Sequence, residues 1–202
     1  MARSKVDLAN AALGYLVRDV IRDLDGSNPS AVQTKAHMDT AIEAVIGDYD
    51  WPYCRVIRPL DLVSGVELRG WSFAYAAPSD MVKLWRVSDA LGKENITYEL
   101  GYTEDVTKDQ CYVYTNMVGA YIRYGSRRAT LDRYSPDVFE LFALRLAIKC
   151  CMPLVKDAKL HQYLKSQYAR DLSAAKTTTA QIEPEYIETE FVPELIQVRR
   201  GG

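Results

Sequence analysis

The chain has 202 residues, enough for one or two domains with a real core, and its 48% hydrophobic and 26% charged fractions are ordinary for a soluble globular protein. A net charge of -2 and a pI near 5.8 exclude a global attraction for nucleic acid or anionic membrane, although such a chain could line a DNA passage without gripping DNA. There is no run of about 18 apolar residues, and the start Met1-Ala2-Arg3-Ser4-Lys5 lacks the apolar stretch of a signal peptide, so the protein is expected to stay where it is made.

The first helix is predicted from about Lys5 to Leu24. Ser4 and Asp7 make a capping box, and Ala9, Leu13, Leu16, Val17, Val20 and Leu24 recur at helical spacing. Gly26 and Pro29 end it, and a second helix starts at Ser30 with Gln33 in the capping-box position. Met38, Ala41, Ile42, Val45, Ile46 and Tyr49 continue its apolar stripe. The short link predicts an antiparallel pair, closed by Asp48-Tyr49-Asp50-Trp51-Pro52.

From Tyr53 to Arg128 the period changes to that of strands. Arg55 to Leu60 begins the region, and the alternation of Trp71, Phe73 and Tyr75 predicts three aromatics on one strand face. Met81 to Val87 and Ile96 to Leu100 flank a turn at Leu91-Gly92-Lys93. Cys111 to Tyr114 and Ala120 to Tyr124 predict a hairpin around Asn116 and Gly119.

Helices return at Ser135-Pro136-Asp137, an N-cap with proline at the first helical position. Val138 to Met152 is apolar nearly all round, which places it centrally in a core or between subunits, and Pro153 is expected to break it. Val155 to Ala175 is a more polar amphipathic helix. Thr177-Thr178-Thr179 marks a composition shift into an acidic tail studded with apolar residues, the pattern of a segment that orders on contact with a partner. The expected fold is α+β. An antiparallel helical bundle (1–52 and 135–176) carries an inserted antiparallel β-sheet region (53–134) and an extended C-terminal tail (177–202).

Little catalytic chemistry is visible. Walker, dinucleotide and nucleophile-elbow motifs are missing. Cys54, Cys111, Cys150 and Cys151 fit no zinc spacing and read as small hydrophobes. His37 and His161 each lack a second histidine at ligand spacing. No cofactor or metal site is expected, and the chain is not expected to be an enzyme. Carboxylates are plentiful, and Glu43 or Asp48 with Asp50 can be considered as a glycosidase-like acid and base. Arg123, Arg127, Arg128 and Arg133, interleaved with Tyr121, Tyr124 and Tyr134, could hold phosphates or form a protein interface. Fourteen tyrosines fit both interfaces and half-buried strands.

Four stretches in order resemble the tail tubular protein A family, the head-to-tail adaptors of short-tailed phages. They are Asn10 to Gly14 with Ile21 to Ala31; Asp50-Trp51-Pro52-Tyr53-Cys54; Trp71 to Asp80 with its Pro78-Ser79-Asp80 close; and Tyr134-Ser135-Pro136 through Phe139, Leu146, Ala147 and Pro153-Leu154. Where the family pattern expects a Leu-Gly pair at the end of the first motif, this chain has Leu16-Val17. The resemblance implies a virion protein forming a homo-oligomeric, commonly dodecameric, ring between portal and tail nozzle. That ring passes DNA without specific binding and helps anchor tail fibres or spikes; no membrane is involved. On this reading the ring or partner interface is expected at Trp51, Trp71, Tyr75, Trp85, Tyr124, Arg127 and Arg128. Portal docking is expected at Tyr186, Phe191, Leu195 and Ile196 of the tail. The rivals are a DNA-binding accessory protein of the virion and a virion-associated cell-wall hydrolase.

Overall fold

A computed structural model describes residues 3–68, 70–90, 92, 96–102 and 110–182. Within them the helices are α1 (Lys5–Tyr15), α2 (Pro29–Asp48), α3 (Pro136–Leu154) and α4 (Ala158–Ile182). The strands are β1 (Arg55–Pro59), β2 (Asp61–Leu62), β3 (Phe73–Ala76), β4 (Met81–Ser88), β5 (Tyr98–Tyr102), β6 (Cys111–Thr115) and β7 (Tyr121–Ser126).

The capping box of α1 forms as expected: Ser4 Oγ accepts from the Asp7 N–H at 3.1 Å, and Asp7 accepts from the Ser4 N–H at 2.8 Å. The helix nevertheless stops at Tyr15, well before Leu24. Val17 adopts φ 52°, and the N–H groups of Val17 and Arg18 bond back to the carbonyls of Gly14 and Leu13 at 3.2 and 3.1 Å. Those two bonds close the last turn as a Schellman motif, a stop the apolar spacing does not reveal. Val17 and Val20, read as core positions, are consequently exposed. At α2 the cap is Asn28, whose side chain accepts from the Ala31 N–H at 2.6 Å, rather than Ser30.

Ser135 and Pro136 start α3 as predicted. Pro153 sits inside its last turn, where proline forfeits a single helix hydrogen bond and does not end the element. Asp157 caps α4 through the N–H groups of Lys159 and Leu160. The predicted end of the bundle is also passed: α4 runs to Ile182, with Thr177 and Thr178 bonding their hydroxyls to the carbonyls of Ser173 and Ala174. Back-bonding of this kind lets threonine remain helical.

α3 lies at the centre of the helical layer, packed by α1, α2 and α4. Its burial is therefore satisfied within one subunit. Leu141, Phe142, Leu144 and Leu146 are fully buried there beside Leu8, Leu13 and Ile46.

The strands form two antiparallel sheets, one ordered β1-β7-β4 and the other β2-β3-β6-β5. This overturns the expected helical bundle with an inserted β-sheet region. About 46% of the described residues are helical and 21% are strand, so the fold is a mixed one with two full sheets. The reason is that the strands bury cores of their own. Leu84, Val87, Ile122 and Tyr124 of the first sheet pack on Tyr75 and Val113 of the second, and Ala74, Tyr112 and Tyr114 form a separate cluster on the far face.

The predicted hairpin of β6 and β7 is also absent. β6 pairs with β3 and β5, whereas β7 pairs with β1 and β4. Residues 116–120 carry the chain across from one sheet to the other. Tyr75 pegs that corner, donating its hydroxyl to the Met117 carbonyl at 2.8 Å and accepting from the Gly119 N–H at 3.0 Å. Gly119 takes φ 65°, which glycine adopts without strain. Trp71 precedes β3 and packs on the far cluster, away from Phe73 and Tyr75, so the three aromatics do not share a face.

Candidate functional site

The C-terminal end of α2 is where the helical layer and the sheets are joined. A helix end leaves carbonyls without intrahelical partners. Here Trp51 turns back under the helix and donates Nε1 to the Val45 carbonyl at 2.7 Å, and Lys83 of β4 donates Nζ to the Gly47 carbonyl at 3.2 Å. The same ammonium lies 4.8 Å from the centre of the Trp85 ring, a cation–π distance. β7 approaches α2 so closely that a Cβ on Gly125 would fall 2.9 Å from Ile46 Cγ2. Glycine at that position is a requirement of the seam.

The acidic residues around this helix end anchor neighbouring elements. Glu43 lies 3.3 Å from Arg127, Asp48 accepts from the Tyr168 hydroxyl at 2.5 Å, and Asp50 meets Arg55 at 2.9 Å and Arg123 at 2.5 Å. Burial raises the Tyr168 phenol above its ordinary value, and the bond to Asp48 adds to that shift. The carboxylates considered as an acid and base pair are thus each held by a cation or a phenol.

A second junction lies where Pro78-Ser79-Asp80 turns into β4. The nearly buried Asp80 carboxylate accepts from Ser126 Oγ at 2.6 Å and Tyr124 OH at 3.3 Å, with Arg128 Nε 3.6 Å away. Its backbone carbonyl accepts from the Arg127 N–H at 3.0 Å. Burial opposes ionisation of Asp80, but the bonds from Ser126, the backbone and Tyr124, with the charge of Arg128, outweigh it and hold the carboxyl below its usual range. Beside this aspartate a cleft of about 310 Å³ runs along β1, lined by Tyr53, Arg55, Arg58, Arg128 and Arg133.

The residues expected at an interface are divided by this geometry. Trp51, Tyr75 and Tyr124 are 0%, 2% and 2% exposed, so they are core and cannot meet a partner directly. Trp71, just ahead of β3, and Trp85, on β4, are half-buried, and Trp71 Nε1 donates to Glu99 at 3.0 Å. Arg127 and Arg128 are exposed; the structure brings Arg128 and Tyr124 together at Asp80. The tyrosine–arginine cluster does not form as a stacking surface. Tyr124 and Tyr134 are buried, while Arg123, Arg127 and Arg128 each face a carboxylate. Tyr186, Phe191, Leu195 and Ile196 lie outside the described residues.

Sequence reasoning missed Asp80 as a junction residue. The available signal was Asp80 opening a strand after Pro-Ser, but the strand order that brings Ser126 and Arg128 to it has no sequence signature. Cys54, Cys150 and Cys151 are buried and Cys111 half-buried, all as free thiols. Burial pushes Cys150 up to about 12, against a smaller opposing effect of Lys149. Among the described residues no group of His, Cys, Asp and Glu could hold a metal ion, and no helix is long and apolar enough to cross a membrane. No family model matches the chain, and no curated protein matches it.

Proposed function

We propose that this chain is a structural virion subunit, the head-to-tail adaptor of a short-tailed phage, acting as one member of a ring between portal and tail nozzle. The observation that carries the reading is the backbone at Val17. The adaptor pattern calls for glycine after Leu16, and Val17 sits at φ 52°, the left-handed region where glycine is the unstrained choice. A position whose conformation asks for glycine, at the place where the resembled family has it, ties the sequence motif to a specific helix stop.

Two further features support the same reading. Asp50-Trp51-Pro52 and Pro78-Ser79-Asp80, both quoted for the resemblance, form the two junctions that fix the end of α2 to β1 and the turn before β4 to β7. Motifs spent on holding layers together suit a load-bearing part of an assembly. The exposed Arg127 and the half-buried Trp71 and Trp85 remain the surface candidates for ring contacts, and the tail after Ile182 the candidate for portal docking. The DNA-binding rival has less to stand on, because Arg123, Arg127 and Arg128 already face carboxylates.

Electron microscopy of the protein mixed with the phage's portal protein tests the proposal. A side view is expected to show a ring seated on the portal's tail-facing end; failure to form any complex would overturn the reading. Removing residues 183–202 is expected to abolish portal capture in a pull-down, and unchanged capture would remove the tail from the docking role.

A further inference from the structure

The short loop that follows α1, residues 16–21, is pinned along its length. The Asn10 side chain holds Ile21 twice, donating Nδ2 to its carbonyl at 3.0 Å and accepting from its N–H at 2.7 Å. Arg18 donates Nη2 to the Leu154 carbonyl at the end of α3. Leu16 and Ile21 are buried, whereas Val17 and Val20 between them are 90% and 74% exposed. The loop is a fixed scaffold that displays two valines to solvent. Val17 is strained in this position, because its φ of 52° crowds a branched side chain. A side chain so exposed gains little packing within the chain to offset that strain. Strain kept without an internal return points to a contact outside the chain.

A seat of matching chemistry lies in the double sheet. Tyr98, Leu100 and Tyr102 alternate to one side of β5. Tyr98 packs into the core between the sheets, but Leu100 and Tyr102 are 43% and 62% exposed. A cavity of about 890 Å³ opens over them, with Met81, Val82 and Leu84 of β4 on its lining. Lys83 and Arg127 line it as well. Lys83 gives one N–H to Gly47, and Arg127 lies loosely at 3.3 Å from Glu43, so both keep donors free for a further anion. Asp19 is exposed between the two valines of the loop. An apolar knob carrying one acid therefore complements an apolar groove carrying two cations.

The two surfaces lie at opposite ends of the molecule. α3 starts beside the sheets, where the Tyr134 ring is 5.8 Å from that of Tyr53, and its last residue, Leu154, holds the loop. Its 19 residues span roughly 28 Å. One chain cannot seat its own loop in its own groove, but a second copy can.

We propose that the Val17–Val20 loop of one copy docks in the groove between β4 and β5 of a second copy, a head-to-tail contact between two different surfaces. The contact stands on the loop and the groove; its closure into a ring rests on the adaptor reading.

Sedimentation velocity of the full-length protein over a wide concentration range tests it. The wild type is expected to self-associate reversibly. Val17→Asp with Val20→Asp should weaken association about a hundredfold, since two charges would enter an apolar contact. Val17→Gly should weaken it roughly tenfold through the lost methyl groups, without weakening the fold. Leu100→Asp, which blocks the groove, should match the double loop variant. Mixed in equal amounts, the loop and groove variants each keep one good face, so they should form a one-to-one complex that grows no further. A wild type that stays monomeric overturns the proposal, and so does association unchanged by the loop substitutions. Association lost with the loop but untouched by Leu100→Asp overturns the groove as the seat. A mixture that stays monomeric overturns the head-to-tail arrangement. Loss of portal capture by the loop variants, with a monomeric wild type, would make the portal the occupant instead. Ring formation on the portal judges the adaptor reading separately: a ring that forms equally well with the loop variants sinks this contact alone, and association as predicted with no portal complex sinks the adaptor reading alone.

Discussion

In the helical layer, α3 presents Val138, Leu141, Phe142 and Leu146 to its neighbours, and its contacts are almost wholly apolar. The double sheet is built on different terms. Its buried large residues are tyrosines, and two of them use their hydroxyls to fix geometry: Tyr75 at the crossing between sheets and Tyr124 at Asp80. Non-directional burial dominates the first region; directional bonds select one register in the second. The contrast teaches where each layer should fail. Loss of volume should hurt the helices most, and loss of a polar partner should hurt the sheets most.

Phe142→Ala is the strongest blow to the helical side. Phe142 is fully buried, with its ring edge-on to Tyr134 at 4.8 Å. Its removal should cost about 3–5 kcal/mol, the range for a large aromatic deleted from a core, measured by urea unfolding. Because Trp51, Lys83 and Asp50 couple α2 to the sheets, helical and sheet probes should unfold together. Separate transitions would mean that the layers are two independent units.

Asp80→Asn is the corresponding blow to the sheets. It leaves the buried Ser126 and Tyr124 hydroxyls facing a neutral amide, which should cost about 1.5–3 kcal/mol at neutral pH. The sign of its pH dependence follows from the depressed carboxyl. Ionised Asp80 stabilises the fold above the unfolded value of about 3.9, and that contribution is lost as pH falls through the lower folded value. The gap between wild type and variant should therefore narrow as pH falls below the unfolded value and close once Asp80 is protonated in the folded state. A gap that stays constant with pH would show that the lost interaction is not electrostatic.

Much of this contrast was legible in the sequence, but unevenly. Ser4 with Asp7 and Ser135 with Pro136 announced two helix starts because a cap is a local chemical device within four residues. The strands at Arg55, Met81 and Cys111 were legible as short strand-like or apolar-rich runs between turn signals. What could not be read were events decided by distant partners. Val17, Val20 and Leu24 keep helical spacing although the chain has already turned at Val17. Five residues between β6 and β7 suit a hairpin as well as a crossing between sheets; the Tyr75 hydroxyl, 42 residues from Met117, settles it. Trp51 and Tyr124 looked like interface residues because aromatic type alone does not distinguish a buried peg from an exposed anchor. Thr177 to Thr179 looked like a boundary because β-branched polar residues disfavour helices, yet the hydroxyls of Thr177 and Thr178 found carbonyls one turn back.

The seam between the regions is probed by Gly125→Ala. The added Cβ would lie 2.9 Å from Ile46 Cγ2, inside any normal contact distance, so β7 and α2 must separate. Overpacking of this kind should cost about 1–3 kcal/mol. It should register in both layers, which neither Phe142→Ala nor Asp80→Asn does by direct contact. Pairing it with Ile46→Ala, which removes Cγ2, should cost less than the sum of the two single changes.

Val17→Gly carries the smallest effect and the opposite sign. Valine in the left-handed region is strained by its branched Cβ against its own backbone, at a cost on the order of 1–2 kcal/mol. The side chain is 90% exposed, so little packing is lost on removing it. Glycine relieves the strain but gains freedom in the unfolded chain, worth about 0.5–1 kcal/mol against it. The balance should leave the variant about 0.5–1 kcal/mol more stable by urea unfolding. The two positions then make a paired statement about glycine: Gly125 is required where a strand meets a helix, and residue 17 is better as glycine where a helix must turn. Destabilisation by Val17→Gly would show that the exposed valine contributes to the helical layer in a way its backbone conformation does not reveal.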